Sequence, residues 1–365
     1  MAGALIKRLA TLHLINERTP EILSLFGTIT SASLAKWPRT DELEAARGER
    51  RMSTLTADGL PLEISVAMTR RGGAETLRYS TEATHPFVPP DARLGQADQV
   101  VASGLNGIGA IARGPLHRKL LAAVFPPGEA PKTRFLIWIG LAHLRNDDVL
   151  KIYYNLTPRR DADKIFRRWL DIIDRADCRL PLDLFLRLPA GGGESPVPAF
   201  VCLEIGRGGG LLKAKAYYRP STYLERLPPT TLLGALGLGF LSEACTASEA
   251  AFHFGRNNHP APQIFCIGLS SNGPQPSVNF YYDMPRHVPD DGAACKAISR
   301  VLHQAGLSRK LYLAILELVT SVSAPDTLLA TAMRPQFHTV LALGFGPDGV
   351  KITPYLKPRW PEFTR

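Results

Sequence analysis

The chain has 365 residues, of which 45% are hydrophobic and 21% charged, enough to bury a large core and too apolar for a disordered chain. Its 43 Lys and Arg against 33 Asp and Glu leave a net charge of +10, which suits an anionic partner: nucleic acid, a membrane surface or a phosphorylated small molecule. No apolar run approaches the roughly 20 residues that span a bilayer, and five cysteines without a CxxC pair argue against a disulfide framework or zinc site and fit a reducing cytoplasm.

In chain order, the first 20 residues or so read as peripheral. Lys7, Arg8, His13 and Glu17 interrupt what would otherwise be a leader-like stretch. Segment 20–47 is expected to supply the first helices. A hairpin is expected at 61–68 with 76–82, then a glycine-interrupted helical segment at 99–124 and a second hairpin at 133–141 with 149–156. Residues 161–177 place Ile165, Trp169, Ile172 and Ile173 at helical spacing after an acidic start. A third hairpin follows at 198–205 with 211–218, then helical 229–254 and a fourth hairpin at 262–270 with 277–283. Residues 296–319 carry a helical pattern through Ile298, Val301, Leu302, Leu311, Ile315 and Leu318, and a fifth hairpin spans 336–345 with 349–356. The turns RRGGAE, RNDD, GRGGG, SNGPQP and GPDG are rich in Gly, Asn and Asp, the residues that close antiparallel pairs. GRGGG lacks the Lys-Ser/Thr of a phosphate-binding loop and reads as a turn. Asp147–Asp148 sits in a turn with no third carboxylate, so no metal-binding acid cluster is expected.

The second strands begin near 76, 149, 211, 277 and 349, at intervals of 73, 62, 66 and 72. That is an internal repeat of one αββα unit. Five units supply ten antiparallel strands, which predicts an α+β fold with one closed barrel ringed by helices and spanning residues 1–365 as a single domain, the last eight or so residues peripheral.

Strand parity then assigns faces, since alternate residues point to opposite sides. One face is apolar: Leu62, Ile64 and Val66; Leu150, Ile152 and Tyr154; Val278, Phe280 and Tyr282. The other carries Glu63, Arg78, Lys151, Lys213, Lys215, Asn279 and Lys351, with Tyr153, Tyr217, Tyr281 and Tyr355 at equivalent places on four hairpins. The apolar face meets the helices, so the polar face lines a lumen. Lysines and arginine hold diphosphates by charge-assisted hydrogen bonds, without a metal. A collar of tyrosine faces would shelter a carbocation and exclude water. The two together suggest loss of diphosphate followed by capture of an allylic cation. His338 reads as a satisfied core histidine, and Glu63 pairs either with Arg78 across the hairpin or with a substrate N–H.

LEIS (62–65), LRYSTE (77–82), LKIYY (150–154), KAKAYY (213–218), VNFYY (278–282) and ITPYLKP (352–358), in this order, resemble the aromatic prenyltransferases with the αββα barrel, of the dimethylallyltryptophan-synthase type. The resemblance covers about 60–360, and the length is nearer the bacterial members. It implies that Arg78, Lys151, Lys213, Lys215 and Asn279 hold the diphosphate. It further implies that the four tyrosines shield the cation and that Glu63 accepts an indole N–H. The expected partners are a prenyl diphosphate, dimethylallyl first, and a small indole-containing acceptor. No cofactor, metal, nucleic acid or membrane is expected, and the chain would be a cytoplasmic monomer or homodimer. A phenolic acceptor, a longer prenyl donor and a non-catalytic nucleic-acid-binding module remain as alternatives. The stretch PAFVCLEIG (198–206) lacks the arginine with which fungal members bind an amino-acid carboxylate, which weighs against free tryptophan. No lysine base stands within FLIWIGLAHL (135–144) either.

Overall fold

The computed structural model describes residues 62–70, 76–84, 88–126, 135–144, 148–157, 161–176, 197–219, 228–253, 262–271, 273–321 and 337–357, besides Gly27. Apart from Gly27, the helices expected at 20–47 and the peripheral ends lie outside this set. Five antiparallel hairpins follow one another: β1 (Leu62–Thr69) with β2 (Thr76–Glu82), β3 (Ile137–His143) with β4 (Asp148–Asn155), β5 (Val197–Gly206) with β6 (Leu211–Arg219), β7 (Ile264–Ser270) with β8 (Gly273–Asp283), and β9 (His338–Gly346) with β10 (Gly349–Leu356). Each strand pairs with its neighbours in sequence, and β1 pairs with β10, for example Ile64 with Leu356, so the sheet closes into a barrel. All five hairpin turns therefore lie at one end, and the helical connections leave from the other.

Between the hairpins run α1 (Pro90–Gly107) and α2 (Gly114–Val124), α3 (Ala162–Ala176), α4 (Pro229–Ala235) and α5 (Ser242–His253), then α6 (Met284–His287), α7 (Asp291–Gln304) and α8 (Lys310–Ser321). In α3 the stripe Ile165, Phe166, Trp169, Leu170 and Ile173 is buried, while Arg167–Asp163 and Arg175–Asp171 pair one turn apart on the wet side. The apolar stripes meet the outward residues of the strands, and Ile64, Val66, Leu150, Ile152, Val278, Phe280, Ile298, Val301 and Ile315 belong to one fully buried core. Each such side chain contributes about 1.5–3 kcal/mol. That core is the ring between barrel and helices.

The expected single helix at 296–319 is two helices. Ala305 ends α7, Gly306 takes a left-handed φ of 67°, and its N–H donates to the His303 carbonyl while that of Leu307 donates to Leu302. This is a Schellman ending, which needs a residue free to adopt positive φ. The same pair of bonds at Gly109 and Gly237 divides 99–124 and 229–254. The fourth turn is shorter than expected, because β8 reaches back to Gly273 through Pro274 and Pro276. A register shift between Gly268 and Ser270 accommodates prolines that cannot donate to the ladder.

Candidate active site

Every cation assigned to the lumen by parity points there. Arg78 on β2, Lys151 on β4, Lys213 and Lys215 on β6 and Lys351 on β10 converge in the half of the lumen nearer the hairpin turns, together with buried Asn279 on β8. Small residues on neighbouring strands make room for them. Ser65 stands across from Arg78, Gly140 from Lys151, Gly268 from Lys215 and Gly344 from Lys351. A Cβ at Gly344 would lie 2.6 Å from Asn279 Oδ1 and 2.9 Å from Lys351 Cε, and one at Gly268 would lie 2.9 Å from Ser277 Oγ. A cavity of about 380 Å³ opens beside Lys213, Asn279, Gly344 and Lys351.

These cations are crowded, Lys151 and Lys215 buried and Arg78, Lys213 and Lys351 half-buried. Burial first, then Arg78, pushes Lys151 down to about 7. Burial and then all four neighbouring cations hold Lys351 well below the ordinary lysine range. Lys213 is lowered by burial and by Lys215. Burial would lower Arg78 and Lys215 too, but Tyr355 and Glu204 outweigh it at Arg78, and Glu204 outweighs it at Lys215, so both are raised. Glu204 on β5, unremarked in the sequence, is the acid at the centre. Its Oε1 lies 2.8 Å from Lys151 Nζ and also accepts from Lys215 Nζ. Burial alone would raise Glu204, yet Lys151, Lys215 and Lys213 hold it well below the usual carboxylate range.

The tyrosines form an unbroken arc. Ring centroids of Tyr153 and Tyr217 are 5.8 Å apart, those of Tyr217 and Tyr281 also 5.8 Å, and those of Tyr281 and Tyr355 6.2 Å. Burial first of all keeps the four hydroxyls above the ordinary tyrosine range, so the rings are neutral. On the side away from the cations the arc continues into Phe200, stacked on Tyr217 at 4.4 Å, and Trp138, edge-on to Phe200 at 5.3 Å. Trp138 in turn stacks on Phe135 at 4.2 Å and donates its indole N–H to Glu82 at 3.2 Å.

Glu63 lies in the lumen wall, 7% exposed, and accepts from Thr339 Oγ1 at 2.5 Å rather than pairing with Arg78. Burial, only partly offset by Thr339 and Lys357, raises it to about 8. His338 is core, as expected: its Nδ1 lies 2.7 Å from Asp291 and its Nε2 2.8 Å from the Tyr312 hydroxyl. Asp148 is structural, tying His143 at 2.8 Å and Arg207 at 2.8 Å, which anchors the GRGGG turn. Among the described residues no three His, Cys, Asp or Glu gather into a metal-ligating group, and no helix is long and apolar enough to cross a membrane.

No protein-family model and no curated protein matches the chain. Solved structures do. The 5-dimethylallyltryptophan synthase from Streptomyces coelicolor superposes with a TM-score of 0.67 at 20% identity, covering 100% of this chain and 97% of its own. The chain has the αββα prenyltransferase barrel. The 6-dimethylallyltryptophan synthase from Micromonospora olivasterospora, solved with DMASPP and Trp, gives 0.71 at 17% identity over 98% and 95% of the two chains. AnaPT from Neosartorya fischeri gives 0.68 at 14% identity over 98% and 92%.

Proposed function

We propose that this chain is an aromatic prenyltransferase that moves a prenyl group, dimethylallyl first, from its diphosphate to a ring carbon of an indole-containing acceptor. The observation that carries the reading is the junction inside one closed lumen of five cations with an arc of four neutral tyrosines. An anion at the cation end and a cation beside the rings are the two halves of an ionised allyl diphosphate.

In this reading Arg78, Lys151, Lys213, Lys215 and Lys351 donate to the diphosphate oxygens, with Asn279 completing the seat. As the C–O bond breaks, its electron pair stays with the diphosphate, whose growing charge meets fixed ammonium groups. The allylic cation left behind faces Tyr153, Tyr217, Tyr281 and Tyr355, whose ring faces attract it and whose packing keeps water from quenching it. A ring carbon of the acceptor attacks, and loss of the ring proton from that carbon restores aromaticity. Glu63 accepts the acceptor's N–H, a bond that strengthens as positive charge spreads onto nitrogen. Charge neutralisation comes from side chains, so we propose that no metal is required.

The reading takes residues 1–365 as one barrel domain, monomeric or dimeric, acting in a reducing cytoplasm, where the free cysteines Cys202, Cys245, Cys266 and Cys295 would persist. A basic nucleic-acid-binding module is disfavoured, because these cations face a lumen rather than an outer surface. The test is a mass-spectrometric screen of indole and phenol acceptors against dimethylallyl, geranyl and farnesyl diphosphates. Prenylated indole is the expected product. Absence of turnover with every donor, alongside salt-sensitive DNA or RNA binding, overturns the reading, and product from phenols alone changes the acceptor class.

A further inference from the structure

Each lumen cation has a small residue across from it on one neighbouring strand: Ser65 by Arg78, Gly140 by Lys151, Ser270 by Lys213, Gly268 by Lys215 and Gly344 by Lys351. Across from Lys213 on its other side stands an acid, Glu204. A carboxylate in a seat built for a diphosphate repels the ligand, so its presence calls for a role of its own. Glu204 is also the strand partner of Lys151, which makes β5 the bridge between the lysine-bearing strands β4 and β6. Its side chain is 12% exposed, and those of Lys151 and Lys215 are 5% and 7%. Among the described residues it is the one acid paired to a lumen lysine.

We infer that Glu204 is a positioning residue, the lumen's resident counter-anion, which keeps Lys151 and Lys215 charged and aimed while the barrel is empty and thereby sets the pH range over which the donor binds. The inference rests on the prenyl-donor reading of the lumen. An ammonium has three N–H donors, and Glu204 occupies one on each lysine, leaving two for diphosphate oxygens. The carboxylate thus need not leave when the donor arrives. The groups that act on this trio are Arg78 from β2, Tyr153 from β4, Lys213 from β6, Cys266 from β7, Lys351 from β10, and Cys202 from β5 itself. Three of these, Arg78, Lys213 and Lys351, are cations that repel Lys151 or Lys215. Glu204 supplies the attraction that counters them and counters burial.

The sign follows directly. Lys151 loses its charge as pH rises through about 7. Without the carboxylate it loses that charge at lower pH, and a diphosphate must then draw a proton from solvent in order to bind. A pH profile reads this, and a mere brace of the fold would leave the profile where it is.

The experiment uses the full chain carrying lysines labelled with ¹³C at Cε, with the Lys151 resonance assigned through Lys151→Arg. Its titration midpoint is expected near neutrality in the wild type and at least one pH unit lower in Glu204→Gln. Calorimetry with inorganic pyrophosphate from pH 5.5 to 8.5 should show affinity falling at least one unit earlier in the variant, which makes binding about tenfold weaker near neutrality. Glu204→Asp keeps the charge but withdraws it, and should fall between the two even if Glu204→Gln folds poorly. Coincident midpoints in wild type and both variants overturn the inference. A shifted lysine midpoint in a protein that binds no pyrophosphate at any pH overturns instead the prenyl-donor reading, and leaves the ion pair standing.

Discussion

Glu63→Gln offers a direct test of the dry, neutral character of the lumen wall. The Glu63 carboxyl is 7% exposed and holds its proton up to about 8, because burial outweighs the Thr339 hydrogen bond and the attraction of Lys357. In the unfolded chain the same group ionises near 4.5. The folded protein therefore retains a proton that the unfolded chain gives up, and stability is lost as pH rises from 4.5 towards 8. At about 1.4 kcal/mol per pH unit the loss reaches roughly 5 kcal/mol by pH 8 if the pocket stays dry. Below 4.5 no such cost exists. Glutamine keeps the shape and the acceptor for Thr339 but cannot ionise. The variant should match the wild type near pH 5 and become progressively more stable than it towards pH 8.5. Thermal melts at half-unit pH steps measure this as a widening gap in Tm. Parallel curves would mean that Glu63 is ionised throughout, most simply by pairing with Lys357, and would refute the burial argument. Above about pH 8, where Glu63 is ionised, the same variant should turn over an indole acceptor more slowly, with the fall in kcat exceeding the rise in KM, since the carboxylate stabilises positive charge on nitrogen only in the transition state.

Lys213→Ala and Lys215→Ala should each cost about 1.5–3 kcal/mol of transition-state stabilisation, the scale of a charged hydrogen bond, read as a drop of roughly 10- to 150-fold in kcat/KM for the prenyl diphosphate with an unchanged far-UV spectrum. Wild-type rates in both would mean the two ammonium groups do not meet the donor. Tyr217 touches Tyr153, Tyr281 and Phe200, so Tyr217→Phe should keep most activity while Tyr217→Leu, which removes the ring face, should lose about 0.5–2 kcal/mol and release more prenyl alcohol as water captures the cation. Equal losses in the two would assign the effect to the hydroxyl. Turnover should survive excess EDTA, and loss under chelation with recovery on adding Mg²⁺ would show that the lumen cations do not suffice.

Much of this site is legible before any coordinates, and the reason lies in the even strands. LKIYY, KAKAYY and VNFYY alternate strictly, and a period of two assigns faces without knowledge of the partner strands. Lys151, Lys213, Lys215, Tyr153, Tyr217 and Tyr281 follow from that alone, and ITPYLKP adds Tyr355. What escapes is whatever depends on two strands at once. Glu204 lies in an apolar run, and its meaning comes from Lys151 on one side and Lys213 and Lys215 on the other. Thr339, the partner of Glu63, lies 276 residues away in sequence. Trp138 stands in FLIWIGLAHL, which is apolar on both faces, so parity cannot tell lumen from core there. The break at Gly306 is easily missed, because the apolar positions on either side of it are each helical and only their change of phase marks the boundary.

That failure on the odd strands has a physical cause of its own. Along β3, β7 and β9 the lumen side carries Gly140 and Ala142, Cys266 and Gly268, Ala342 and Gly344, while the outer side carries the usual core Leu and Ile. Both faces are then apolar or small, and the alternation vanishes. The even strands bring long side chains into the lumen, and ten strands of long side chains would leave no volume for a substrate. A Cβ at Gly344 meets Asn279 and Lys351 at under 3 Å, so even a methyl group there competes with the residues that would hold the donor. Beside the cations, even strands supply charge and aromatic rings and odd strands supply room, while further along the lumen odd-strand Trp138 and Phe200 extend the aromatic wall. Glu204 and Glu63 are the odd-strand acids that depart from this division, one crossed by two lysines and one holding its proton to about 8. A buried acid on a strand otherwise given over to space must be paired or neutral, and these two show one solution each.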